Sequence, residues 1–197
     1  STWSQGSENF SNIPTTSSSS YLNRSWTGTD NVTWTATNVR TDQSLTGKAV
    51  CTGTSGGIVT SPNYTGGIGT LQFKYVRGFT GTGSRSIEVF VNGTKQGSTI
   101  TVNATNSTVQ SYSSSLNISG NVVLELKVTG SQVIIDDIAW TGYVAPSIAP
   151  SITSSLTATA IYGQAFSYAT TASQNPTSFN ATGLPTGLSI NTTTGVI

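Results

Sequence analysis

Gln132-Val133-Ile134-Ile135-Asp136-Asp137-Ile138-Ala139-Trp140 decides the reading of this chain. It is a short, β-branched, nearly unbroken apolar run, the pattern of a buried strand. Two carboxylates inside such a run are costly unless something compensates them. Adjacent strand residues point to opposite faces. One of Asp136 and Asp137 is therefore expected inward, held by a ligand or by hydrogen bonds, and the other outward. Pro146 and Pro150 follow closely, so the strand closes a domain.

Working outward, period-two alternation recurs. Val32, Trp34 and Ala36 share a face, as do Leu71, Phe73 and Tyr75, then Ile87, Val89 and Val91, then Val122, Leu124, Leu126 and Val128. Asn92-Gly93 is a type I′ hairpin signal. Residues 1–31 read as mostly irregular, and 108–116 as a polar, Ser-rich edge. No segment carries a helical period. The expected fold class is all-β: an antiparallel β-sandwich (jelly roll) over 1–143, a Pro-containing linker over 144–151, and a partial β domain over 152–197. About 20 inward candidates, each contributing about 1.5–3 kcal/mol when buried, suffice for a core without staples.

Composition narrows the function. Charged residues make up 8% of the chain and the formal net charge is +1. That is too sparse a basic footprint for nucleic acid or for a polybasic membrane anchor, and no apolar run is long enough to span a bilayer. The chain opens at Ser1 as a mature or trimmed form would, with no leader visible. Ser, Thr, Asn and Gly dominate, which fits a secreted or cell-surface β-protein. Cys51 is the only cysteine and there is no His, so neither an internal disulfide nor a Cys/His nucleophile is available. No nucleophile elbow, zinc motif or P-loop occurs. The chain is expected to be non-catalytic and monomeric.

Two resemblances follow. Ile152-Thr153-Ser154, Gly163-Gln164-Ala165-Phe166-Ser167-Tyr168 and the 183–197 stretch resemble the immunoglobulin-like repeats of bacterial surface proteins. The repeats continue into further strands that this sequence lacks. More loosely, Glu8-Asn9-Phe10, Thr27-Gly28-Thr29-Asp30 with Trp34, Gly47-Lys48-Ala49-Val50, the 66–73 stretch, Val89-Phe90-Val91-Asn92-Gly93 and Ile135-Asp136-Asp137-Ile138-Ala139-Trp140 resemble jelly-roll modules appended to secreted enzymes of Bacteroidota. Such modules look like carbohydrate-binding modules. The resemblance implies a polysaccharide partner and a covalently linked catalytic domain. It also implies a structural Ca²⁺ held by Glu8 with Asp136 or Asp137.

The ligand candidates come from residue chemistry. Trp26, beside Arg24 and Asp30 in a polar stretch, is the aromatic expected to be exposed as a sugar platform. Lys74, Arg77 and Arg85 flank a Gly-rich loop. If their strands pair as a hairpin, they converge on one rim, where guanidinium forks suit sulfate or carboxylate. An anionic algal glycan is the expected ligand. A structural or adhesive spacer is the alternative, and a polysaccharide lyase or hydrolase the third, with Glu88 and Glu125 as its carboxylates.

Overall fold

The structure, a computed structural model, describes residues 5–13 and 17–197; the chain opening at Ser1 lies outside them. It divides into two compact units, Ser1–Ala145 and Pro146–Ile197.

The first unit is all-β, with no helix among the described residues. Its strands are β1 (Gly6–Glu8), β2 (Leu22–Thr27), β3 (Thr33–Ser44), β4 (Lys48–Thr52), β5 (Gly57–Thr60), β6 (Ile68–Arg77), β7 (Arg85–Val91), β8 (Thr94–Thr101), β9 (Gln110–Ile118), β10 (Leu124–Gly130) and β11 (Val133–Trp140). They form one antiparallel sheet in the order β8-β7-β10-β5-β3-β4-β11-β6-β9, with β1 added to β11 and β2 to β3. The twelve-residue β3 pairs with β5 through Thr35–Thr37 and with β4 through Val39–Ser44. Between them Asn38 takes a φ of 54° and a register shift follows. The sheet folds over on itself there, which is how side chains from β5, β7 and β10 come to share one core with those from β6 and β11.

The alternating segments behave as their period dictates. Leu124, Leu126 and Val128 are buried in that core while Glu125 and Lys127 face outward. Asn92 and Gly93 both have positive φ, 50° and 76°, as a type I′ turn requires. β11 is buried on both faces. Val133, Ile135, Ile138 and Trp140 join the main core, and Ile134 packs outside with Ala49, Cys51 and Val76. Two-sided burial is why its sequence is a run and not an alternation. The cover also isolates Cys51, whose thiol burial pushes up to about 12, far from a reactive thiolate.

The expected irregular 1–31 region is corrected by β1 and β2. β1 pairs Ser7 with Ala139 in the middle of its three-residue register, and its long-range backbone pairing leaves no periodic trace in so short a segment. In the second unit, isolated bridges join Ile152 to Ala172 and Ala169 to Val196. Tyr168 and Ile197 exchange backbone hydrogen bonds of 3.0 and 2.9 Å. Leu156, Phe166, Tyr168, Leu188 and Ile197 gather round a cavity of about 310 Å³ in this unit.

Candidate functional site

At the end of the first unit where β6 leaves for β7, the connection 78–84 carries Phe79 out to solvent. Phe79 is 42% exposed, the one exposed aromatic ring of this unit among the described residues. Its φ of 56° is unusual for a non-glycine residue. The Arg40 guanidinium lies 4.8 Å from the Phe79 centroid and 5.4 Å from that of Tyr21, a cation–π contact to each. Arg40 is fixed in turn by Asp42: Nε donates to Oδ1 at 2.6 Å and Nη2 donates to Oδ2. Hydrogen bonding to Asp42 first, then to Tyr21, raises the Arg40 pKa further, and the same Arg40 contact lowers that of Asp42. Gln132 Nε2 donates to the Tyr21 hydroxyl at 3.3 Å.

Two more arginines stand beside this cluster. Arg77 Nη1 donates to the Phe79 carbonyl at 2.9 Å. Arg85, only 3% exposed, donates from Nη2 to the Gly81 carbonyl at 2.7 Å and from Nη1 to that of Gly78 at 3.4 Å. The Nε of each is buried without a partner, and neither arginine is in an ion pair among the described residues. Burial, then the Arg77 charge, depresses the Arg85 pKa. An end of the sandwich thus combines an exposed ring, a ring-clamping Arg–Asp pair and two guanidiniums lacking an acidic partner. Such a set can stack on a sugar ring and receive an anionic group.

The sequence-predicted residues are placed differently. Trp26 is not an exposed platform. It is 4% exposed and packs on Phe10 at 5.7 Å between centroids, because its cross-strand partner is Trp34 and both face the core. Arg24 donates to the carbonyls of Val39 and Ser20 at 3.1 and 3.0 Å and so ties down the chain. Asp30 Oδ1 accepts from Val32 N at 3.3 Å in a turn. The hairpin meant to unite Lys74, Arg77 and Arg85 does not form: β6 pairs with β9 and β11, and β7 with β8 and β10. The 78–84 connection still brings Arg77 and Arg85 together, but Lys74 turns outward, donating to Asp137 Oδ2 at 2.8 Å and to Thr46 Oγ1 at 2.9 Å. Glu88 and Glu125 are paired with Lys95 and Lys127.

The acids of the opening stretch separate. Asp136 is 0% exposed and lies under the 46–47 turn, accepting from Thr46 N (3.1 Å), Gly47 N (3.4 Å) and Asp137 N (2.8 Å). Burial outweighs these amides and raises its pKa. Asp137 has a φ of 50° inside a bulge between Asp136 and Ala139, and it shares a cavity of about 170 Å³ with Glu8, Asn9 and Thr29. Glu8 is fully buried; Oε1 accepts from Phe10 N, while Oε2 has no partner. Burial raises its pKa, with Asp30 adding to the rise. The Trp26 indole lies close enough to favour the charged form without completing a hydrogen bond. Asp30 Oδ2 is likewise buried and unpartnered, its pKa raised by burial. Gly28 makes this packing possible, since a Cβ there would sit 2.2 Å from Glu8 Oε2. No group of three or more acidic, Cys or His side chains gathers closely enough to hold a metal among the described residues. The orphaned oxygens of Glu8 and Asp30 are nevertheless the hard donors that Ca²⁺ prefers, and backbone carbonyls commonly complete its shell.

No family model matches the chain, and no curated protein is similar to it in sequence. Similar solved structures include a family 35 carbohydrate-binding module from Clostridium thermocellum (17% identity, 54% of this chain and 89% of that one, TM-score 0.40). A family 6 carbohydrate-binding module matches at 16% identity over 70% of this chain and 94% of its own, with a TM-score of 0.42. A family 35 module from Cellvibrio japonicus does so at 18% over 72% and 95%, with a TM-score of 0.44. No helix among the described residues is long and apolar enough to cross a membrane.

Proposed function

We propose that the Ser1–Ala145 unit is a non-catalytic carbohydrate-binding module that takes an anionic glycan at its 78–84 end. The carrying observation is the exposed Phe79 ring beside Arg77 and Arg85, two guanidiniums with no acidic partner among the described residues. Phe79 supplies a face for a sugar ring, and Arg40 holds the planes of Phe79 and Tyr21. Arg77 receives a sulfate or uronate group, while the buried Arg85 holds the loop through the Gly78 and Gly81 carbonyls. The Pro146–Ile197 unit serves as spacer to the catalytic domain of a secreted polysaccharide-degrading enzyme. It resembles immunoglobulin-like repeats in sequence and would let binding raise the local concentration of substrate.

In the same proposal a Ca²⁺ ion braces the buried acids. Glu8 holds it, with Asp30 or Asp137 as the further carboxylate, and it compensates charge that burial otherwise penalises. Asp136 is left out, its oxygens being taken by backbone amides.

The test is a glycan array on the full chain, repeated for Phe79→Ala and Arg77→Ala. Retention on uronate or sulfated glycans that weakens with salt and is lost in both variants supports the reading. Retention on no glycan leaves the spacer function, and new reducing ends or unsaturated products would make the chain an enzyme.

A further inference from the structure

Asp137 stands between two sets of partners. On one side is the cavity of about 170 Å³, with Glu8, Asn9 and Thr29 along one wall and Asp137 and Ala139 along the other. On the other side is Lys74, whose Nζ donates to Asp137 Oδ2 at 2.8 Å. The bulge in β11 makes this second contact possible. Between the Asp136–Lys74 and Ala139–Gln72 pairs, β11 has one residue more than β6, and the positive φ of Asp137 absorbs it. Regular alternation would turn Asp137 away from the face that carries Lys74. A bulge re-aims the side chain, and the carboxylate comes to the ammonium instead.

Lys74 is itself tethered. A second donor goes to Thr46 Oγ1 at 2.9 Å, and Thr46 N donates in turn to the buried Asp136 at 3.1 Å. Its hydrogen bond to Asp137, then the Asp137 charge, raises the Lys74 pKa, so the ammonium persists wherever the carboxylates are ionised. Glu8 is left with a different neighbour: the acid whose charge adds to the rise of its pKa is Asp30. Glu8 Oε2 and Asp30 Oδ2 are the two carboxylate oxygens buried without a partner among the described residues. Two carboxylates match the charge of one Ca²⁺, and each further charged ligand tightens such a site.

We propose that Lys74 sets the affinity of the metal site: by pairing with Asp137 it keeps that carboxylate out of the Ca²⁺ shell and leaves Glu8 and Asp30 to hold the ion. The inference rests on the Ca²⁺ reading above and decides between its two candidates for the further carboxylate. Lys74 acts through Asp137 and is a positioning residue. With two carboxylates the site falls in the weak range of extracellular modules, a dissociation constant of about 10⁻⁴–10⁻³ M. The Lys74–Asp137 pair is part exposed, its side chains 39% and 30% accessible, so replacing either partner leaves the core untouched.

Calorimetric titration of CaCl₂ into the chelator-stripped full chain tests this, with Tm as a second readout. Lys74→Met is expected to tighten Ca²⁺ binding by about tenfold or more, because Asp137 then joins the shell. The gain is expected to survive about 0.5 M KCl, which screens a merely through-space attraction of the freed carboxylate for the ion. Lys74→Met/Asp137→Asn has the wild-type net charge and is expected to return to wild-type affinity. Should Lys74→Met not fold, Lys74→Gln takes its place. Equal affinity in wild type and Lys74→Met, a gain abolished by salt, or a double variant about tenfold weaker than wild type overturns the role of Lys74 while Ca²⁺ binding stands. No Ca²⁺ binding by either readout in the wild type or any variant overturns the metal reading and this inference together.

Discussion

Asp136 is the residue on which a metal-held and an amide-held domain end predict different outcomes. In the structure it is an acceptor for three backbone N–H groups and ties the 46–47 turn to β11. Asp136→Ala removes one short bond of 2.8 Å and two longer ones of 3.1 and 3.4 Å. A hydrogen bond to a charged acceptor contributes about 1.5–3 kcal/mol and an ordinary one about 0.5–1.5 kcal/mol. The burial penalty on the carboxylate offsets part of their sum. The expected loss is about 3 kcal/mol. With a urea m value of about 2 kcal/mol/M, the midpoint falls by about 1.5 M. Asp136→Asn keeps one acceptor oxygen and is expected to lose about half as much. Asp137→Asn, whose part-exposed ion pair with Lys74 is open to solvent, is expected to shift the midpoint only slightly. The assay is urea unfolding at neutral pH with and without excess chelator. An amide-held Asp136 costs the same in both conditions. A loss that appears only with Ca²⁺ present, or one indistinguishable from that of Asp137→Asn, would refute the amide assignment.

Three further outcomes are expected. Glu8, Asp30 and Asp136 all have raised folded-state pKa values, burial being the first cause in each. Their stabilising contribution is fully present below the unfolded pKa values and is lost as pH rises through the folded ones. In chelator, Tm is therefore expected to fall as pH rises from mildly acidic to neutral, with Ca²⁺ removing the share due to Glu8 and Asp30 and leaving that of Asp136; a Tm that rises over this window contradicts it. Gly28→Ala sets a Cβ 2.7 Å from Trp34 Cδ1 as well as against Glu8, so a loss of about 1–3 kcal/mol is expected by thermal unfolding, together with any Ca²⁺-dependent stabilisation. Phe79→Ala, at an exposed loop position, is expected to leave Tm nearly unchanged while acidic-glycan affinity falls by about tenfold, measured by calorimetry.

Much of the architecture was legible because it is periodic. β7 and β10 alternate strictly, and the Asn92-Gly93 turn is fixed by which residues tolerate positive φ. β1 was not legible, since three residues carry no period and it exists only through pairing with β11. Trp26 looked exposed from its polar neighbours. Its burial follows from pairing with Trp34 across β2 and β3. The candidate site was mostly illegible. Tyr21, Arg40, Phe79 and Gln132 stand far apart in the chain and fit no motif; the local signs were Arg77 and Arg85 flanking the glycine-rich 78–83 stretch and the aromatic inside it.

For the 132–140 stretch the division is sharp. Its own residues dictate a buried strand that ends the domain, because an apolar β-branched run must be covered on both faces. They could not say which acid is held and which is free. Strict alternation would have set Asp136 and Asp137 on opposite faces. The bulge breaks that alternation, handing Asp136 to the amides of a turn some ninety residues earlier in the chain and Asp137 to Lys74 on the outer face. Local sterics and hydrophobic period set the strand, while its partners depend on long-range register, which exists only once the sheet has closed over itself.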